Sequence, residues 1–257
     1  MIEEAVIEQP YVGRLAPSPT GLLHLGHART FWIAAQRARA ADGVLWLRDE
    51  DLDPQRSRPE FAQAMRDDLH WLGITWDYEM RQSQRLAAYR SAMEQLVASG
   101  SVYACRCSRK DLQQATQAPH EDDDEPVYNG HCRPSPQHCE SSADALLPNT
   151  NYRFRVNDGE IITFVDGNAG EQSFVAGSGP TADFGDFVVW RKDGLPSYQL
   201  ACVVDDAAMG VTEVVRGRDL LRSTARQILL QRALEVAAPQ YFHCDLMRDE
   251  AGFRLAK

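Results

Sequence analysis

The chain has 257 residues, 44% of them hydrophobic and 25% charged, with a formal net charge of -10. That length and composition suit a sizeable core with room for an insertion or a small second domain. No run approaches the ~20 apolar residues of a membrane helix, and the acidic balance excludes indiscriminate nucleic-acid binding while leaving room for a local basic face. The acidic start, Met1-Ile2-Glu3-Glu4, lacks a signal-peptide pattern, so a cytoplasmic location is expected. The run Glu121-Asp122-Asp123-Asp124-Glu125 reads as a solvated acidic loop.

Residues 11–15 are short, partly β-branched and followed by Pro, Ser and Gly, which predicts a first strand and a turn. Residues 28–41, rich in Ala, Arg and Gln, predict a helix. Residues 44–47 read as a second strand, followed by Asp49-Glu50-Asp51. Ser57-Arg58-Pro59-Glu60 reads as a helix start, with Ser57 as the cap, an early Pro and Glu60 at the capping-box position. Phe61, Met65, Leu69 and Leu72 then recur at helical spacing up to Gly73. A further helix is predicted over 83–99, with Leu86, Tyr89, Met93, Leu96 and Val97 on its packed side. Periodicity vanishes between 103 and about 150. Strand-like alternation returns at 152–156, 161–176 and 187–190, then a helix at 197–208, a strand at 211–215 and a helix at 223–236. Two βα halves around an irregular insertion predict an α/β fold: a split doubly wound, Rossmann-type parallel sheet. The expected division is 1–102, 103–185 and 186–257.

Two constellations carry chemistry. His24-Leu25-Gly26-His27 lies behind Arg14-Leu15-Ala16-Pro17-Ser18-Pro19-Thr20-Gly21, between the first strand and the first helix. A glycine beside a helix N-terminus lets a phosphate approach the backbone N–H groups. Two imidazoles there can stabilise charge during nucleotidyl transfer. The second constellation is Cys105-x-Cys107 followed by Tyr128-x-x-x-Cys132, with His131, His138 and Cys139 as further candidates. Close sulfurs in an irregular segment suit a structural zinc ion. Cys202 and Cys244 read as apolar core residues.

The Arg14-to-Gly21 string with its His-x-Gly-His resembles the ATP-binding signature of class I aminoacyl-tRNA synthetases of the glutamyl/glutaminyl group. Its Ala-Pro-Ser-Pro form is similar to the glutamyl enzymes. Ser197-Tyr198-Gln199-Leu200-Ala201, Val203-Val204-Asp205-Asp206 and Val215-Arg216-Gly217-Arg218-Asp219-Leu220-Leu221 look most like the short paralogues, the glutamyl-Q tRNA(Asp) synthetases. The resemblance implies a zinc-containing α+β insertion that is acceptor-binding in related enzymes. It also implies zinc ligation by Cys105, Cys107, Tyr128 and Cys132, with His131 the nearest substitute for Tyr128. The ion would be structural, since four protein ligands leave no open position. Arg254-Leu255-Ala256-Lys257 resembles the second, KMSKS-like signature, with Arg for the first Lys and Ala for Ser. Lys257 would then support the ATP phosphates, and the chain is expected to continue past it.

The implied reaction activates glutamate with ATP to glutamyl-adenylate, with His24, His27 and Lys257 catalytic and Thr20 and Gly26 among the ATP-binding residues. Mg²⁺ is expected with ATP. Glutamate brings an ammonium and two carboxylates, so its site needs an acid and at least one guanidinium. Arg14, Glu50 and Arg216 fall at predicted strand ends, where open α/β sheets place ligands. The resemblance adds Ala16, Ser18 and Tyr198, gives Glu50 the ammonium, and leaves the two carboxylates undivided between the arginines. Transfer would go to the queuosine base in the anticodon of tRNA(Asp), by a protein expected to be monomeric. The alternatives are the catalytic portion of an ordinary glutamyl-tRNA synthetase charging tRNA(Glu), and a catalytically silent tRNA- or amino-acid-binding regulator.

Overall fold

A computed structural model describes residues 10–107, 127–128, 130–134 and 146–247. In chain order the described elements begin with β1 (Val12–Leu15), α1 (Leu25–Ala40), β2 (Val44–Asp49), α2 (Pro59–Trp71) and β3 (Tyr78–Arg81). Next come α3 (Leu86–Ala98), β4 (Val102–Cys105), β5 (Asn151–Phe154), β6 (Glu160–Asp166), β7 (Gly170–Ala176) and β8 (Phe187–Trp190). The chain continues through α4 (Tyr198–Ala208), β9 (Glu213–Gly217), α5 (Leu221–Ala233) and β10 (Gln240–Cys244). No helix among the described residues is long and apolar enough to cross a membrane.

Strands β1, β2 and β3 are parallel, with β2 in the middle. Strands β9 and β10 are parallel to each other, and β10 continues through a single parallel pairing to β6 and then to antiparallel β7. The two groups meet where β1 faces β9. The Thr212 amide donates to the Val12 carbonyl oxygen at 2.9 Å, and the Val12 amide to Thr212 Oγ1 at 2.9 Å. The order is therefore β3-β2-β1-β9-β10-β6-β7, and the chain runs outward in both directions from the β1/β9 seam. In open α/β sheets the crevice at such a switch point, beyond the carboxyl ends of the strands, is the ligand site.

The parallel core agrees with the sequence reading in kind, and differs from it in four places. Residues 160–176 fall inside the expected insertion, yet β6 pairs with β10 and extends the sheet of the second half. Strand β8, expected as part of a βα unit, is antiparallel to β5 in a separate sheet of order β4-β5-β8. Strands β3, β4 and β10 went unread, β4 (Val102–Cys105) lying where periodicity was expected to vanish. At the α2 start, Arg58 is the N-cap without a side-chain cap bond, and the buried Ser57 hydroxyl has no partner. The Ser57 amide is drawn to the Asp53 carbonyl and the Arg58 amide to the Pro19 carbonyl, so the helix begins one residue later than a Ser57 cap requires.

Two apolar clusters hold the layers together. The first packs Leu15, Leu45 and Leu47 of the parallel strands against Ala34, Ala35 and Ala38 of α1 and Met65 and Leu69 of α2. The alanines give α1 a flat face that lies close to the sheet. The second joins Tyr89, Met93 and Leu96 of α3 to Phe154, Phe187, Leu200 and Leu230. Complete burial of each large side chain such as Leu69 or Leu230 contributes about 1.5–3 kcal/mol. Gly43, between α1 and β2, permits a close crossing, since a Cβ there would lie 2.5 Å from the Tyr11 carbonyl oxygen.

Candidate active site

The crevice at the switch point is a cleft of about 480 Å³. Its wall includes Arg14, Ala16, Ser18, Thr20, His24, Gly26, His27, Glu50, Tyr198 and Arg216, so all the described candidates for ATP and glutamate binding are brought together. Lys257, Arg254 and Ala256 lie outside the described residues, as do His138 and Cys139.

The loop after β1 forms the floor. The Pro17 carbonyl accepts from the Glu50 amide at 3.0 Å, which ties this loop to the end of β2. His24 is the N-cap of α1, its Nδ1 accepting from the Gly26 amide at 3.1 Å. Helix α1 thus begins earlier than the composition of 28–41 indicates, and Gly26 and His27 belong to its first turn. The His24 and His27 rings stack with centroids 3.7 Å apart. The helix end therefore offers two imidazoles and the positive end of the dipole to one side of the cleft.

On the other side lies a buried charge cluster. Glu50 Oε1 accepts from Arg48 Nη2 at 2.9 Å and Nε at 3.2 Å, and Oε2 accepts from the Ser18 hydroxyl at 3.4 Å. Arg48 is fully buried and also pairs with Asp206, which lies 3.5 Å from Arg14 Nε. Burial pushes the Glu50 carboxyl up while Arg48 pulls it down. Asp205, next to Asp206 on α4, accepts from Gln82, Arg85 and Tyr89 and anchors the helix. Cys202 is buried as expected, but not among apolar groups: its Sγ lies 3.7 Å from Glu50 Oε1 and 3.6 Å from Arg48 Nη2. Burial pushes its thiol well up.

Arg14 and Arg216 face this cluster from β1 and β9. Arg14 Nη1 donates to the Val215 carbonyl at 2.8 Å, bridging the seam. Arg216 donates from Nη2 to Thr224 Oγ1 at 2.7 Å and from Nε to His243 Nε2 at 3.2 Å. Its Nη1 is buried without a hydrogen-bond partner, and the side chain lines the cleft. An unpaired buried guanidinium N–H is costly unless an incoming acceptor meets it. Tyr198 opens α4 at the cleft wall, its phenol pushed well up by burial. Sequence reasoning missed Arg48, Arg191 and Asp219, which also sit at or behind the cleft. A charged residue inside the apolar run of β2 was the available signal for Arg48.

The cysteine constellation is a separate knuckle at the end of β4. The sulfurs of Cys105, Cys107 and Cys132 lie within 4.8 Å of one another. The Tyr128 hydroxyl is 3.6 Å from Cys105 Sγ and 3.3 Å from Cys107 Sγ. Zinc–sulfur bonds of about 2.3 Å give tetrahedron edges of roughly 3.8 Å, so this donor set fits a four-coordinate ion. His131 is exposed and not part of the sulfur group. Arg153 supports the knuckle: its Nε donates to Cys105 Sγ at 3.3 Å and its guanidinium lies 3.8 Å over the Tyr128 ring. Gly185 makes room behind it, since a Cβ there would lie 2.8 Å from the Tyr128 carbonyl oxygen.

Comparison with known proteins agrees with this fold. Residues 11–257 match the family model of class I tRNA synthetases (E and Q), catalytic domain. A glutamyl-Q tRNA(Asp) synthetase of Symbiobacterium thermophilum is 46% identical over 95% of this chain and 77% of its own length. That of Rhodobacter capsulatus is 43% identical over 96% of this chain and 90% of its own. Among solved structures, a glutamate tRNA ligase from Elizabethkingia meningosepticum in complex with its amino acid superposes with a TM-score of 0.77 at 28% identity, covering 93% of this chain. A glutamate-tRNA synthetase from Elizabethkingia anophelis gives 0.80 at 28% identity, covering 96%. The chain spans about half of each of these two, 50% and 52% of their lengths. By sequence and by fold, the chain belongs to the class I tRNA synthetase (E and Q) catalytic-domain family of aminoacyl-tRNA synthetase-type ligases, among the glutamyl-Q tRNA(Asp) synthetases.

Proposed function

We propose that this protein activates glutamate with ATP and transfers the glutamyl group to the queuosine base in the anticodon of tRNA(Asp). The observation that carries the reading is the meeting of opposite needs in one cleft. The α1 N-terminus with His24 and His27 suits phosphates, while Glu50 and the free edge of Arg216 suit an amino acid with an extra carboxylate. A glutamate carboxylate oxygen attacks the α-phosphorus of ATP, an O–P bond forms, and the bond to the β-phosphate breaks to release pyrophosphate. Thr20, Gly26 and the two histidines hold the nucleotide, with Lys257 joining them; Mg²⁺ carried with ATP would supply further neutralisation of phosphate charge. Arg14, Ala16, Ser18, Tyr198 and Arg216 hold the amino acid, and Glu50 takes its ammonium. AMP leaves in the transfer step. Support for tRNA(Asp) comes from the names of the relatives at 42–46% identity.

Zinc at Cys105, Cys107, Tyr128 and Cys132 belongs to the same reading, as a brace for the insertion. The donor set leaves no open position; burial and the Cys107 contact push the Tyr128 phenol up, so a metal bound there would have to displace its proton. The division at 102/103 and 185/186 is kept along the sequence, with β6 and β7 of the insertion adding an edge to the second half's sheet; a cytoplasmic location and a monomer complete the proposal.

The test is glutamate-dependent ATP–pyrophosphate exchange without tRNA, followed by transfer to queuosine-containing tRNA(Asp) and to tRNA(Glu). Exchange without tRNA and transfer to tRNA(Asp) alone are expected. Exchange that needs tRNA(Glu), with charging of its 3′ end, identifies an ordinary glutamyl-tRNA synthetase. No exchange under any condition identifies a silent binding protein.

A further inference from the structure

Behind Arg216 lies a buried chain of polar groups that the reaction itself does not use. His243 on β10 is fully buried, and its Nδ1 lies 2.6 Å from Asp166 Oδ2 at the end of β6. Asp166 also accepts the amides of Asn168 at 3.0 Å, Ala169 at 2.8 Å and His243 at 3.1 Å. So many donors hold Asp166 as an anion, and its carboxyl is correspondingly depressed. An anionic acceptor at this distance requires the imidazole proton on Nδ1. On the other edge of the ring, Nε2 faces Arg216 Nε at 3.2 Å and Thr224 Oγ1 at 3.1 Å. Arginine only donates, so Nε2 must accept, and the histidine is a neutral Nδ1–H tautomer. Burial, first, and the neighbouring Arg216 push its pKa down to about 4, which agrees.

We propose that His243 and Asp166 are positioning residues for Arg216, presenting its free Nη1 to an anionic group of the amino acid in the cleft. The inference rests on the reading of the cleft as a glutamate site. The physical reason is charge as well as orientation. A carboxylate paired directly with Arg216 would occupy its fork and cancel its charge. A neutral imidazole set between them fixes Nε, while Thr224 fixes Nη2. The positive charge is left uncancelled at close range, and one N–H edge stays open. The tautomer matters because an imidazole with its proton on Nε2 would set a donor against the Arg216 Nε–H. Asp166 thus acts on the cleft through two contacts, from a strand that lies outside the β1/β9 seam.

Three substitutions test this. H243N keeps an amide N–H for Asp166 but has no atom that reaches Arg216. H243Q places an amide oxygen near the lost Nε2 and restores an acceptor. D166N offers an N–H to His243 Nδ1 and so drives the proton to Nε2. Glutamate and ATP affinities are measured separately by calorimetry, with KM and kcat from pyrophosphate exchange. Melting temperature and ¹⁵N imidazole NMR report folding and the tautomer. H243N and D166N should weaken glutamate about tenfold or more with ATP unchanged within about twofold, and H243Q should stay within about threefold of wild type. NMR should show the Nδ1–H form in the wild type and the Nε2–H form in D166N. Glutamate affinity unchanged in a folded H243N, or glutamate and ATP affinities falling together with the melting temperature in all three, would overturn the inference. Should H243N fail to fold, D166N and H243Q still decide. A wild-type protein that binds ATP but not glutamate overturns the parent reading, and this inference with it, whereas wild-type glutamate affinity in every variant overturns the inference alone.

Discussion

Glu50 has one partner in place and a second in the proposed reaction. Its carboxylate already holds Arg48, and in the proposed reaction it also receives the ammonium of the amino acid. Glu50→Gln removes the charge that both need. The expected result is a glutamate KM raised about 100-fold in pyrophosphate exchange, with stability lowered by about 1–3 kcal/mol in urea because Arg48 is left underpaired. His243 gives a second residue-scale expectation. Burial holds its folded-state pKa near 4, against 6.5 in the ordinary state. Above pH 6.5 the imidazole is neutral folded and unfolded. Between 6.5 and 4 the unfolded chain takes up a proton that the folded protein refuses, so stability falls as pH falls through that window. The loss is on the order of 3 kcal/mol in all. Urea titrations from pH 7.5 to 4 should show this slope, and H243N should flatten it. Asp166 adds its own loss only below the ordinary carboxylate range, because its pKa is depressed.

At the scale of elements, two contacts decide how tightly the layers and loops can pack. The α1–β2 turn depends on Gly43, where a Cβ would press into the backbone of Tyr11. Gly43→Ala should cost about 1–3 kcal/mol and lower the melting temperature by several degrees, measured by thermal denaturation. In the cysteine knuckle, Arg153 on β5 donates to the Cys105 sulfur and covers the Tyr128 ring. Competition with a chromophoric chelator should give one zinc ion per chain, and Arg153→Met should weaken its binding about 10- to 100-fold without abolishing it. The helices were legible because α2 and α3 carry their apolar residues at helical spacing, and Met65, Leu69, Tyr89, Met93 and Leu96 are indeed buried. The start of α2 was misread because capping depends on where the preceding loop is tethered. Here that loop is held by Asp53 and Pro19. Strands β5 and β8 were readable as strands, but their antiparallel pairing was not, since alternation carries no pairing direction.

Across the whole molecule, the cleft exists because two halves of the sheet meet at one seam. Arg14 and Val215, 201 positions apart, are bonded across it, and Thr212 closes its far end. Weakening that seam should impair both ligands together: Thr212→Val is expected to raise the KM of glutamate and of ATP by about two- to fivefold each, with kcat less affected, in the exchange assay. The sequence by itself determined the synthetase-like signature before the first helix, the close sulfurs of the knuckle, the helix faces and the alternation of strand and helix. These are local patterns, written in spacing, propensity and residue chemistry within about 30 positions. Tertiary structure alone decided that Arg48 joins Glu50 to Asp206, that Cys202 lies beside charge, that β6 extends the second half's sheet, and that Asp166 and His243 stand behind Arg216. Those pairings join residues from separate strands, and strand order brings them together. A local pattern can require a partner for a buried charge, but only the packed sheet selects which one.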